Sequence, residues 1–364
     1  MPHLLRPLSR PARALVLLVS SAVPATGGLL AAPLPGGGRT RGPATRTRTS
    51  LRASVAEGMV TELVTACAGA TVLTGWAIHL GASPLEIGLL GALPYLAQLC
   101  QLPAAWLTSL AGRRRIALVA VGLSRQAFLP LAILPFLAVS AATQRAVLLA
   151  VAAATAALGV VGNNAWVSWM GELVPERIRG RYFGRRTAVC TLAGTLAGLV
   201  SAQVLDRAAR LHATAPALAL LAVLACAAGA LTTWLMARQH EPEAPPPARP
   251  CLAAALRPLR DPAARGLLVY QLAWNAAVGL GGAYFAYHLL ANLAVGFTVV
   301  ALHAATGAAF RMVSAPLWGR AIDRLGARPV LAACSFAIAV LPAFWLLFAP
   351  GRLWPIAADA VLGG

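Results

Sequence analysis

The strongest constraint on this chain is its rhythm. Apolar blocks of about twenty residues, the length of a membrane-crossing helix, alternate with short arginine-rich breaks. AVLLAVAAATAALGVVGNNAWVSWMGELV, for example, runs into PERIRGRYFGRR and then into TAVCTLAGTLAGLVSAQVL. Wound as an α-helix, such a block covers a hydrocarbon core about 30 Å thick. The blocks do not alternate with period two, so they do not read as barrel strands, and helices are left to satisfy the backbone in lipid. Hydrophobic residues make up 59% of the chain and charged residues 11%, with a mean hydropathy of +0.72. A water-soluble domain of this size would need roughly a quarter of its residues charged. The expectation is an all-α polytopic membrane protein.

Nine spans are predicted, at about 55–80, 84–109, 116–138, 146–173, 187–206, 215–237, 266–292, 296–318 and 329–349. A tenth begins near Leu353 and meets Gly364 after about 18 Å of helix, short of a bilayer. The breaks fix the orientation. Alternate connections carry Arg113–Arg115, then Arg177, Arg179, Arg181, Arg185 and Arg186, then Arg238, Arg249, Arg257, Arg260 and Arg265, then Arg320, Arg324 and Arg328. The intervening ones carry only Arg145, Arg207, Arg210 and Arg352. Arginine marks the cytoplasmic side, so the amino terminus is expected inside and the block from Arg177 to Arg186 is expected to anchor a cytoplasmic turn.

Composition also divides the chain. Residues 1–52 are rich in arginine and proline and contain no acid, and they read as a disordered extension; its short apolar run ALVLLVSSAV is closed by Pro24. Residues 53–237 hold six spans, a six-helix bundle. Residues 238–265 form a polar, proline-rich cytoplasmic linker, and residues 266–364 an incomplete second bundle.

Several chemistries fall away. All 30 basic residues are arginine, so there is no lysine for a P-loop or a Schiff base. The net charge of +19 lacks the aromatic interleaving on a soluble domain that nucleic-acid binding would need. The six cysteines and six histidines are scattered without metal-ligand spacing, so neither a metal nor any other cofactor is expected, and no nucleophile motif suggests an enzyme.

Six spans, a long linker and further spans in the same orientation resemble the major facilitator superfamily. Its loop pattern G-x-x-x-D-R-x-G-x-[RK] stands intact in GRAIDRLGARP, carried by Gly319, Asp323, Arg324, Gly326 and Arg328. The equivalent place in the first half, AWLTSLAGRRR, keeps Gly112 and the arginines but has Ala105 and Ser109 where the glycine and aspartate would stand. The resemblance covers residues 50–364. It implies a two-bundle transporter of truncated twelve-helix architecture that moves a small organic solute by alternating access. The alternative is a truncated, non-transporting fragment, or a scaffold or receptor that keeps the fold. Span five has the pair Gly194 and Gly198 instead of the G-P pattern of antiporter branches, and span four lacks an intramembrane arginine. Asp323 at a helix end can accept charge-assisted bonds in one conformation and release them in the other, a conformational latch.

The resemblance also implies that spans one, four, seven and ten line the central cavity. In span seven Tyr270, Trp274, Gly281, Tyr284 and His288 recur on one helical face with Asn275 beside them, a stripe suited to an organic solute. An interfacial aromatic belt is the other reading for Tyr284. Asn163 and Asn164 in span four either line the cavity or hydrogen-bond between helices. Glu62 in span one is a candidate coupling carboxylate, or the ion-pair partner of Arg125 in span three. The expected partners are a small-molecule solute, a coupling proton in the symport version and the lipid bilayer. The protein is expected to be a monomer, integral to the bacterial inner membrane.

Overall fold

A computed structural model of the protein describes residues 43–242, 261–345 and 354–363. Most of the 1–52 extension and of the 238–265 linker, Cys251 among them, therefore lies outside the described residues, as does Arg352. Helix is the only regular structure among the described residues. The helices are α1 (Pro43–Ala68), α2 (Ala70–His79), α3 (Pro84–Leu96), α4 (Gln101–Ala111), α5 (Arg113–Gln126), α6 (Leu129–Ile133) and α7 (Ala141–Leu173). They continue as α8 (Arg179–Arg210), α9 (Thr214–Ala237), α10 (Pro262–Tyr287), α11 (Phe297–Leu325), α12 (Ala327–Phe344) and α13 (Trp354–Gly363).

Proline and serine chemistry shapes the ends. Ser83 accepts from the Glu86 N–H while the Glu86 carboxylate accepts from the Ser83 N–H, a capping box that starts α3 behind Pro84. Pro94 lies inside α3, and a 3₁₀ turn, Ala97–Cys100, separates it from α4; the two segments bend by 50°. α1 starts at Pro43, so the last residues of the arginine-rich extension are already helical.

Six helices among the described residues are long and apolar enough to cross a membrane, or seven when α3 and α4 count as one broken span. The expected nine exceed this count for two physical reasons. α10 is 26 residues long, but Gln271 and Asn275 dilute its apolar character. The apolar part of α12, Arg328–Phe344, is short.

The described residues group into two compact units, Gly36–Glu176 with Cys190–Leu302, and Arg177–Val189 with His303–Gly364. The first contains the main core: Val64, Val72, Trp76, Ile87, Leu131, Leu148, Leu205 and Leu218 are all buried together. Small residues let its helices approach. At Gly229 of α9 an added Cβ would stand 2.5 Å from the Cβ of Arg125 in α5, closer than any real contact. On α8, Leu192, Leu196 and Val200 form an exposed row at helical spacing, the face that lipid would cover.

Candidate functional site

Polar groups gather at three levels of the first unit. At one end, Arg113 opens α5 and forms an ion pair with Glu172 in the last turn of α7. Arg114 donates from Nη2 to the carbonyl of Ala237 at 2.6 Å. The Trp169 indole donates to the carbonyl of His240 at 3.2 Å, and the His240 N–H donates to Ser50 Oγ at 2.8 Å. The turn before α5, the end of α7, the end of α9 and the start of α1 therefore share one end of the bundle. Glu172 and Trp169 of α7 both serve this junction.

In mid-bundle, Arg125 donates from Nη2 to Thr61 Oγ1 at 3.3 Å, and Thr61 donates in turn to Glu57 Oε1 at 2.9 Å. Both Glu57 and Glu62 attract the Arg125 guanidinium. Glu57 is buried, while Glu62 is half-buried beside Gly194 of α8. A charge inside an apolar bundle costs about 3 kcal/mol on insertion scales, and two carboxylates around one guanidinium offset it. Sequence reading found Glu62 and Arg125 but missed Glu57. The signal was available: Glu57 and Thr61 are spaced i, i+4 on one helix, hidden because residue 57 sits next to the assumed end of the extension.

At the opposite end, Arg145 Nε meets Glu86 Oε1 at 3.0 Å and its Nη1 donates to the carbonyl of Leu80. On α8, Asp206 accepts from the N–H of Phe297 at 2.7 Å and of Thr298 at 2.8 Å, one carboxylate oxygen to each. These are the first N–H groups of α11, where orphan donors and the helix dipole both favour a carboxylate. Tyr284 of α10 donates its hydroxyl to the carbonyl of Pro84 at 3.1 Å. Asp206 was not singled out from the sequence, because a cap supplied across 91 residues leaves no local pattern.

The remaining sequence candidates fall as follows. Trp274 stacks on Tyr270 with centroids 6.0 Å apart, and Asn275 is exposed with its amide donating to the carbonyl of Gln271 at 2.7 Å. Asn163 is exposed and Asn164 half-buried on α7. Arg177, Arg181 and Arg185 are exposed, Arg179 and Arg186 half-buried. In the loop pattern, Arg324 and Arg328 are exposed, whereas Gly319 and Asp323 fall outside the residues whose side chains are described. Gly326 (φ 86°, ψ 158°) caps α12 in a conformation that only glycine adopts readily. Gly112 takes the matching conformation (φ 88°, ψ 146°) before α5. The worn first-half loop thus retains the turn of the intact second-half one.

Long apolar helices with a charge cluster held within them point to an integral membrane protein. The chain belongs to the Major Facilitator Superfamily, whose family model matches residues 58–364. Membership supports membrane transport of a small solute and points to a transporter rather than an enzyme. It is similar to the xylose transporter XylE from E. coli, solved in an inward open conformation, with 14% identity over 87% of this chain and 78% of that one and a TM-score of 0.46. No curated protein matches it.

Proposed function

We propose that this protein carries a small organic solute by alternating access, as a uniporter or a proton-linked symporter, with residues 53–237 and 266–364 as the two rocking bundles. The observation that carries the reading is the clasp of Asp206 on the N–H groups of Phe297 and Thr298. It joins the end of span five, in the first bundle, to the start of span eight, in the second, through two hydrogen bonds and no covalent link. A contact of that kind can be made in one state and released in the other. Tyr284 on Pro84 adds a second such bond between the bundles.

By the arginine distribution this clasp is on the exterior side, and the Arg113–Glu172 end with the amino terminus is cytoplasmic. Nine spans, in a monomer of the bacterial inner membrane, complete the reading. The stacked Tyr270–Trp274 pair and Asn275 offer an aromatic face with an amide, which suits a sugar, a nucleoside or a drug-like ring. Asp323 in its glycine-framed loop is the cytoplasmic counterpart of the clasp; its loop shares a compact unit with the arginine block of residues 177–189. The Arg125–Glu57–Glu62 cluster supplies carboxylates for coupling.

The test is a thermal-shift screen of sugars, nucleosides and aromatic drugs on purified protein, followed by uptake of the stabilising compound into proteoliposomes. Asn275→Ala is expected to abolish the thermal shift. A compound that stabilises the protein yet never crosses the vesicle membrane would make the chain a receptor or scaffold instead.

A further inference from the structure

At one end of the first compact unit, three consecutive arginines do three different things. Arg113 is buried and paired with Glu172 of α7. Arg114 turns to α9 and donates to the carbonyl of Ala237. Arg115 is exposed, and Val119 and Leu123, about one and two turns along, continue its row over the exposed apolar surface of α5. A row of the same design, running the other way, lies on α9. Val223, Leu224, Leu231 and Trp234 are exposed there at helical spacing, and exposed Arg238 closes the row a turn after Trp234. The guanidinium carbon of Arg238 lies 3.7 Å from the centroid of the Trp234 ring.

Arg114 with Ala237 at one end and Gln126 with Cys226 at the other make α5 and α9 antiparallel neighbours. On each helix the exposed row is rotated about a quarter turn from that contact, in the sense in which the helix winds. On antiparallel helices, equal turns of the same sense bring both rows to one side of the pair. The two helices therefore share one apolar face, with Arg115 and Arg238 both at the same end of it. We propose that this face is a binding site for an anionic phospholipid. Its headgroup phosphodiester is held by Arg115 and Arg238, and its acyl chains lie along the two rows.

Charge and chemistry agree on that occupant. Stacking on Trp234 uses the face of the Arg238 guanidinium and leaves its N–H edges for phosphate oxygens. Neither Arg115 nor Arg238 has an ion-pair or hydrogen-bond partner for its guanidinium among the described residues. The carboxylates close by are engaged, Glu172 by Arg113 and Glu241 by the Arg114 N–H at 3.5 Å. Arg46, Arg48 and Arg52 are exposed at the start of α1, which the Ser50–His240 hydrogen bond ties to the end of α9. The potential around the site is therefore positive, and arginine clusters where apolar helices leave the bilayer attract anionic headgroups. A soluble anion would gain nothing from the apolar rows, whereas a lipid covers rows and arginines together, with Trp234 at the headgroup level where indoles gather. The site depends on membrane insertion and not on the carriage of a solute.

Native mass spectrometry of the purified full chain, titrated with phosphatidylglycerol or with phosphatidylcholine of the same chain length, tests it. The unmodified protein is expected to retain phosphatidylglycerol in preference to phosphatidylcholine. Arg115→Gln combined with Arg238→Gln should reduce that preference by up to about thirtyfold, the effect of two charges at a membrane surface. Arg207→Gln combined with Arg210→Gln removes the same charge from exposed positions on α8 and should leave the preference intact. No preference in the unmodified protein overturns the proposal, whether or not the variants fold. An equal loss in both double variants overturns it as well, because the attraction would then be one of bulk charge. Displacement of the lipid by inorganic phosphate at equal concentration would also overturn it, leaving an anion site without a lipid. Failure of solute uptake in proteoliposomes would instead remove the transport reading and leave the lipid site standing.

Discussion

Arg113 and Glu172 form an ion pair that ties the turn before α5 to the last turn of α7. The turn that carries Arg113, Arg114 and Arg115 and the end of α7 are thereby held at the same end of the helices. The pair is asymmetric: the arginine side chain is 9% exposed and the glutamate 37%. Removing the glutamate strands the more buried partner. Glu172→Gln is expected to destabilise the protein by about 1–2 kcal/mol, below the range for a fully buried pair because water screens the carboxylate. Replacing both residues by apolar ones should recover most of the loss. Chemical unfolding in detergent measures both.

Asp206→Asn keeps one acceptor oxygen and loses both the second acceptor and the charge. The clasp on Phe297 and Thr298 should weaken by about 1 kcal/mol, the scale of a lost helix cap. Thiol labelling of a cysteine placed at Thr298 should then speed up several-fold. Labelling as slow as in the unmodified background would show that the clasp does not hold this end shut.

Gly229→Ala should be among the most damaging single-atom additions in the chain. Its Cβ would meet the Cβ of Arg125 at 2.5 Å, and overpacking at such a site costs about 1–3 kcal/mol. The cluster of Arg125 with Thr61 and Glu57 would be displaced with it. Gly198→Ala in α8, with nothing within 4 Å, is the matched control and should leave the melting temperature unchanged.

Gly112→Ala and Gly326→Ala test backbone strain with little steric change. An added Cβ meets nothing within 4 Å at Gly112, and at Gly326 only Pro329 Cδ at 4.0 Å, yet both residues occupy a glycine-only region. Each substitution should cost about 1–3 kcal/mol. Asparagine should not rescue either, because this region differs from the left-handed helical one that asparagine tolerates.

Asp323→Asn should slow solute uptake several-fold while leaving the melting temperature and expression intact. Unchanged uptake at equal expression would remove Asp323 from the cycle and leave the loop as a turn only.

Much of the helical layout could be read from the sequence because lipid imposes it. Block length and helix period brought most spans close to an observed helix, and the family's loop pattern marked the breaks at Gly326 and Gly112. The number of spans was less secure. Gln271 and Asn275 in α10 make a helix of spanning length less apolar than its neighbours, and Pro94 with the 3₁₀ turn after it splits another in two. Partners distant in sequence were the least legible. Glu57 with Arg125 and Asp206 with Phe297 both depend on how two helices are rotated about their axes, which no local pattern records.

The twin glycine corners have a consequence for how such a molecule tolerates change. A bend set by bare backbone contains no side chain that substitution can erode. The two corners accordingly keep one backbone shape with different neighbours, Ser109 before Gly112 and Asp323 before Gly326.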